Sequence, residues 1–248
     1  MKKIGIIGGS GLEKLNIFNQ TEELEINTPY GTPSSTIFSG TLKNKHVYIL
    51  SRHGREHTIP PTQVNNKANI SALQQLECDC ILASTACGSL RDAIKRGDLV
   101  LPDQFIDFTR HRKTSFFEHF EPDNWGHIAM ADPFSEKIRQ QVLLAAQQLE
   151  INIHPSATII TIEGPRFSTR AESKMYRIWG ADIVNMSTSP EAALANEAGI
   201  PYVAIAMSTD YDAWKRDEEP ATWEEIMKVF NNNVEKITRL LIKVLAIL

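Results

Sequence analysis

Tyr202-Val203-Ala204-Ile205-Ala206-Met207-Ser208-Thr209-Asp210-Tyr211-Asp212 is an apolar run that ends in hydroxyls and two carboxylates. Its first six residues, bounded by Pro201 before and Ser208-Thr209 after, read as a buried strand. In open α/β sheets, ligands bind in the crevice beyond the carboxyl ends of the strands. Asp210 and Asp212 stand at such an end, and an extended backbone would turn both side chains to one face. A carboxylate beside an apolar pocket has its pKa raised, so it can hold or share a proton near neutral pH. The alternative is a solvated turn in which one of the two caps a backbone group.

Outward from this stretch, strands and helices alternate. Lys3–Ile7, Ser35–Leu42, Lys45–Leu50, Cys80–Thr85, Asp98–Leu101, Ala157–Ile162 and Asp182–Asn185 read as further strands. From Glu136 to Leu149, Ile138, Val142, Ala145, Ala146 and Leu149 recur with a helical period. Thr169 with Glu172, and Thr222 with Glu225, are capping boxes that open two more helices. The second of these carries the stripe Ile226, Phe230, Val234, Ile237, Leu241 and Val244. Ser189-Pro190-Glu191 offers an N-cap, a first-position proline and an acidic first turn, with Gly199 closing that helix. Alternation of this kind means an α/β fold with a largely parallel or mixed sheet.

Composition narrows the class. With 248 residues, 42% of them apolar, the chain can bury a large core, and no linker or charge run divides it. A net charge of −4 argues against a nucleic-acid partner. No stretch approaches the ~20 apolar residues of a membrane span. Lys2-Lys3 lead straight into a strand with no signal-peptide pattern, and three closely spaced cysteines (Cys78, Cys80, Cys87) suit a reducing compartment. The expectation is a cytoplasmic protein without membrane contact.

The strand ends are rich in small polar groups. Gly8-Gly9-Ser10-Gly11 follows the first strand and can aim backbone N–H groups and the Ser10 hydroxyl at an anion. It is not a dinucleotide fingerprint, because Lys14 stands where the third glycine belongs, and no Walker pattern is present. Arg52-His53 follow another buried strand, and a guanidinium matches phosphate bidentately. The same segment spells His53-x-x-Glu56-His57, an inverted zinc-protease pattern. That chemistry needs a helix, and Gly54 with Pro60-Pro61 speaks against one. Thr85-Ala86-Cys87-Gly88-Ser89 and Asn185-Met186-Ser187-Thr188 end two more strands with hydroxyls, the latter leading into a helix N-terminus that favours an anion. Cys87 reads as a small buried residue rather than a nucleophile. An anion cradle, a pair of carboxylates and no metal ligands together suggest phosphate as a reactant.

Seven segments carry a family resemblance: IGIIGGSGL from Ile4, RHGREHTIPP from Arg52, TACGSLR from Thr85, DQFIDFT from Asp103, TIEGPRFSTRAES from Thr161, WGADIVNMS from Trp179 and AIAMSTDYDAW from Ala204. In these the sequence resembles the methylthioadenosine phosphorylases of the trimeric purine nucleoside phosphorylase family, in family order over nearly the whole chain. The resemblance implies one α/β domain over residues 1–248, with a mixed, partly barrel-like central sheet flanked by helices. It implies a homotrimer with active sites near subunit contacts, and a pentosyltransferase that uses inorganic phosphate as co-substrate with no cofactor or metal. The implied reaction is phosphorolysis of 5′-methylthioadenosine to adenine and 5-methylthioribose 1-phosphate, in purine and methionine salvage. The alternatives are a 6-oxopurine nucleoside phosphorylase (inosine, guanosine or methylthioinosine) and a nucleoside hydrolase.

Matched position by position, the family's phosphate site falls on Ser10, Arg52, His53, Thr85, Ala86 through its backbone, and Ser187. The base and ribose site falls on Phe167, Met186, Asp210 and Asp212, with Asn185 and Thr209 alongside. Asp210 is then the general acid at purine N7, and Asp212 accepts from the 6-amino group. Ser168 and Trp223 match specificity positions, and His127 matches a wall of the 5′ pocket. Methylthio-specific members tend to have a small aliphatic residue where this chain has Trp223.

Overall fold

The computed structural model describes residues 1–8, 21–123, 125–216 and 222–248, apart from the side chains of Trp223, Phe230 and Asn232. Its strands are β1 (Lys3–Gly8), β2 (Thr21–Leu24), β3 (Ile37–Leu42), β4 (Lys45–Ser51), β5 (Cys80–Ser89), β6 (Leu99–Val100), β7 (Gln104–Phe108), β8 (Ile153–His154), β9 (Thr158–Ile162), β10 (Ile183–Asn185) and β11 (Tyr202–Asp210). The helices are α1 (Asn66–Gln75), α2 (Glu136–Gln148), α3 (Arg170–Ile178), α4 (Thr188–Glu197) and α5 (Trp223–Ile247).

One mixed sheet runs in the order β2-β3-β4-β1-β5-β10-β9-β7 and branches at β5, which also pairs with β11; β11 leads on through β6 to β8. β5 is parallel to β1 and to β11 but antiparallel to β10. The carboxyl ends of β5 and β11 therefore lie side by side, while β10 brings Asn185 and Ser187 back along β5. That junction builds the site.

The period-2 alternation of strand side chains distributes β11 between two cores. Tyr202, Ala204 and Ala206 pack with Ile7, Leu50, Ile70, Leu73 and Leu194, on the side covered by α1 and α4. Val203, Ile205 and Met207 pack with Ile4, Ile6, Val142, Ile237, Leu241 and Val244, on the side covered by α2 and α5. With both faces covered, every residue of β11 is buried, which is why the strand reads as an unbroken apolar run. A third, smaller core of Leu90, Ile160, Ile162, Tyr176 and Val184 lies beside them.

Both predicted capping boxes form: Thr169 with Glu172 at α3 and Thr222 with Glu225 at α5. The start of α4 differs from expectation. Its N-cap is Ser187 rather than Ser189, and Pro190 falls in the third helical position. Proline is tolerated there because the first-turn N–H groups have no helical partner to lose. The Ser187 hydroxyl makes no capping bond and stays available to the cavity. Residues 52–57 form turns, not a helix, so the zinc-protease pattern has no helical face to stand on. Among the described residues, no group of three or more His, Cys, Asp and Glu could hold a metal ion. None of the described helices is long and apolar enough to cross a membrane.

Candidate active site

Beyond the carboxyl ends of β5 and β11 lies a cavity of about 610 Å³. Arg52, His53, Thr85, Ala86 and Ser187 line it, and so do Phe167, Asn185, Met186, Thr209, Asp210 and Asp212. The fold thus brings together eleven of the fifteen residues matched from sequence. Ser10 lies outside the described residues. Ser168 does not line the cavity; its hydroxyl lies beside the Asp212 carboxyl.

His127 does not line the cavity either. It lies on the segment after β7, packs its ring 5.2 Å from Phe120, and takes no part in the cavity of its own chain. Trp223 is the first residue of α5, with its side chain outside the description; Ile226 and Met227, which follow it in the helix, reach the cavity. Sequence reading does not place those two, nor Ile59, Pro60, Pro61 and Val184, in the lining. The signal is present in the α5 stripe: Ile226 faces inward one turn after the capping box.

The carboxylates occupy the end of β11, which continues three residues past the apolar run. An irregularity between Ser208 and Asp210 inserts a residue against β5, so Asp210 pairs with Gly88. A β-bulge re-aims the side chains that follow it. Gly88 makes this close approach feasible. A Cβ there would meet Asp210 Oδ2 at 3.1 Å, Val184 Cγ1 at 3.1 Å and Asp212 Cβ at 3.2 Å. Asp212 follows in a left-handed conformation (φ 48°) and donates its backbone N–H to Asp210 Oδ2 at 2.8 Å. The extended i, i+2 arrangement expected from sequence is replaced by this turn.

Burial pushes the Asp210 carboxyl up to about 6, against the hydrogen bonds from Thr209 Oγ1 (2.8 Å) and the Asp212 backbone, which favour its ionised form. Burial also raises Asp212, while the neighbouring Ser173 and Ser168 hydroxyls pull the other way. Asp212 Oδ2 is buried and completes no hydrogen bond of normal geometry. A buried acceptor left so is destabilising unless a ligand donor meets it.

Arg52 is not the free fork that its sequence position suggests. Its Nε and Nη2 both donate to the Glu191 carboxylate, Nη2 at 3.0 Å, and Nη1 donates to the Ser84 carbonyl at 2.9 Å. Tyr202 Oη donates to Glu191 Oε2 at 2.8 Å. Both members of the pair are buried. Burial works against the guanidinium charge, but Glu191 outweighs it and holds the pKa above its ordinary value. Only one N–H on each of Nη1 and Nη2 remains for a ligand. His53 donates Nδ1–H to the Ile59 carbonyl at 2.9 Å. Burial, then the Arg52 charge, lowers its pKa to about 4, so the ring is neutral at pH 7 with Nε2 as acceptor.

Dipoles here favour an anion as well. Thr85 Oγ1 and Ser187 Oγ lie 3.1 Å apart at the N-terminus of α4, whose macrodipole favours negative charge. Cys87 is fully buried and its thiol pKa is pushed well up by burial, which fits a packing role. Met186 packs against Gly164 (φ 68°), where a Cβ would come within 2.5 Å of its sulfur.

The sequence matches the phosphorylase superfamily over residues 3–246. It is 49% identical over 242 residues to the S-methyl-5′-thioadenosine phosphorylase of Danio rerio, covering 97% of this chain and 86% of that one. It is 47% identical to the S-methyl-5′-thioadenosine phosphorylase of Hyperthermus butylicus, over 98% and 87% of the two chains. Methylthioadenosine phosphorylase of Schistosoma mansoni, solved in complex with adenine, superposes with a TM-score of 0.93 at 39% identity, covering 99% of this chain and 91% of that one. A single-residue mutant of the adenosine/methylthioadenosine phosphorylase from that organism, solved with methylthioadenosine, superposes with a TM-score of 0.91 at 38% identity, over 99% and 91%. The chain belongs to the phosphorylase superfamily and, within it, to the S-methyl-5′-thioadenosine phosphorylase family.

Proposed function

We propose that this enzyme cleaves 5′-methylthioadenosine with inorganic phosphate, giving adenine and 5-methylthioribose 1-phosphate, as a pentosyltransferase of purine salvage. The observation that carries the reading is one cavity lined both by Thr85, Ala86 and Ser187, whose hydroxyls and backbone suit an anion, and by Asp210, whose carboxyl is poised near pH 6. Phosphate in the cradle attacks C1′ of the ribose. The C1′–N9 bond breaks with its electron pair passing to the purine. Positive charge develops on the sugar, as in glycoside cleavage, and the phosphate both stabilises and captures it. The departing purine takes the Asp210 proton at N7, which avoids expelling a bare anion. Asp212 accepts from the 6-amino group, a donor that would satisfy its buried Oδ2. Phe167 and Met186 cover the base and ribose, with Thr209 holding Asp210. Ser10, Arg52 and His53 complete the phosphate surroundings in this reading, and Ser168 and Trp223 shape specificity. The chemistry uses side chains and phosphate alone, with no cofactor or metal.

A homotrimer is part of the proposal. Phe117, Phe120, Trp125 and Ile128 are exposed large apolar residues on the segment that carries His127. A patch of this kind marks a contact surface, and a second copy seated on it would take His127 toward its own 5′ pocket. Three free cysteines support a reducing, cytoplasmic location.

Phosphate-dependent base release measured side by side on methylthioadenosine, adenosine, inosine and methylthioinosine tests the substrate assignment. Methylthioadenosine should give the highest kcat/KM. In Asp212→Asn, an acceptor-only group becomes able to donate, so 6-oxopurines should gain relative to 6-aminopurines by about tenfold or more. An unchanged ranking in that variant would remove Asp212 from the 6-position, and a wild-type preference for inosine would move the enzyme to the 6-oxopurine branch.

A further inference from the structure

Thr161, near the carboxyl end of β9, is fully buried and does not line the cavity. Its hydroxyl sits in a line of hydrogen bonds that runs from a backbone N–H to the Asn185 carboxamide. The Ser189 backbone N–H, in the first turn of α4, can only donate, and it reaches Thr161 Oγ1 at 3.0 Å. Thr161 Oγ1 donates onward to Asn185 Oδ1 at 2.8 Å. With Oδ1 occupied, Asn185 presents Nδ2 to three hydroxyl oxygens: Thr188 Oγ1 at 2.6 Å, Thr85 Oγ1 at 3.1 Å and Ser187 Oγ at 3.2 Å. One amide proton serves Thr188, and the other serves the Thr85–Ser187 pair.

An oxygen that accepts from the amide keeps its own proton for another partner. Thr85 rests that proton on the Ala86 carbonyl at 3.0 Å, a contact that rotation about Cβ–Oγ exchanges for an anion. A reversed carboxamide would do the opposite. Its Oδ1 would draw the hydroxyl protons inward and leave lone pairs facing the negative ligand. We propose that Thr161 is a positioning residue: it holds the Asn185 carboxamide in the sense that turns the Thr85 and Ser187 hydroxyl protons toward a bound phosphate. Asn185 then acts through those hydroxyls rather than on the nucleoside. This inference rests on the phosphate reading of the cradle given above.

Steady-state KM values for phosphate and for methylthioadenosine in wild type, Thr161→Val, Thr161→Ser and Ser187→Ala test it. Thr161→Val keeps the side-chain shape and removes the relay. It should raise the phosphate KM about tenfold or more while the nucleoside KM stays within about twofold, and Thr161→Ser should restore the phosphate KM. Should Thr161→Val fail to fold, Thr161→Ala, which leaves room for a water at the Ser189 N–H, carries the same expectation. A raised phosphate KM in Ser187→Ala with none in Thr161→Val leaves the cradle standing and overturns the positioning role. An unmoved phosphate KM in both overturns the cradle and this inference with it. An equal rise in both KM values that Thr161→Ser does not rescue means general damage to the fold and also overturns it.

Discussion

Replacing Asp210 with Ala should lower kcat by about 10²–10⁴-fold, the usual worth of a positioned general acid, with little change in phosphate KM. The residue is buried at a bulged strand end, and burial holds its carboxyl up to about 6. An acid must carry its proton to donate it. The kcat/KM for nucleoside at limiting phosphate should therefore fall as pH rises through about 6, and that limb should vanish in Asp210→Ala. A phosphate dianion bound in the same cavity would push the pKa further up, so the limb in kcat should lie at higher pH than the limb in kcat/KM. The same shift has a stability consequence. The native carboxyl binds its proton more tightly than the unfolded one, so its contribution is fully present below about pH 4 and is lost as pH rises through about 6. In Asp210→Asn the amide oxygen can accept from the Asp212 N–H while the NH2 donates to Thr209 Oγ1. The Thr209 proton then goes to the Cys87 carbonyl, and the amide never ionises. This variant should be more stable than wild type above pH 6, by on the order of 2–3 kcal/mol, while being catalytically poor. Near-wild-type kcat in Asp210→Ala would transfer the acid role to another group.

Arg52→Ala should destabilise the fold by about 3–5 kcal/mol in urea denaturation, because it strands the Glu191 carboxylate without its partner. Glu191 is fully buried and is held by Arg52 and Tyr202. The double variant Arg52→Ala, Glu191→Gln should recover part of the loss, since burying a neutral amide is far less unfavourable than burying a carboxylate. The phosphate role expected from sequence can stand beside this one, since one N–H on each of Nη1 and Nη2 is left for a ligand in the cavity that Arg52 lines, and Arg52→Ala should also raise the phosphate KM. A loss below about 1 kcal/mol would contradict the structural role of the pair.

What the sequence reveals here depends on whether a residue's burial is visible in its chemistry. β11 and both capping boxes are legible because an apolar run and a Thr-x-x-Glu pair state their roles locally. α1 is not, because its buried residues include Asn66, Lys67, Asn69 and Ser71, which hide the helical stripe. Their burial is offset by partners far away in sequence: Lys67 lies over the Tyr30 ring, and Asn69 bonds Ser34. β2 is missed for a related reason, being an edge strand with three exposed residues of four. At the site, residue membership is readable through the family resemblance, but partnership is not. Glu191 is an ordinary first-turn acid in sequence, and only the packing of α4 against the sheet aims it at Arg52. Thr161 likewise looks like any strand residue until Asn185 and Ser189 converge on it. His127 matches a wall of the 5′ pocket and yet lies away from its own chain's cavity, a placement that the proposed trimer accounts for by seating it against a second copy.

The requirement for phosphate is the most direct test of the account. Purified enzyme is incubated with methylthioadenosine in buffer freed of phosphate, and again with phosphate added, while adenine and the sugar product are followed together. Adenine release should be absent without phosphate, should saturate as phosphate is added, and should be matched mole for mole by 5-methylthioribose 1-phosphate. Equal adenine release in both buffers, with free methylthioribose as the sugar product, would contradict it and make the enzyme a hydrolase.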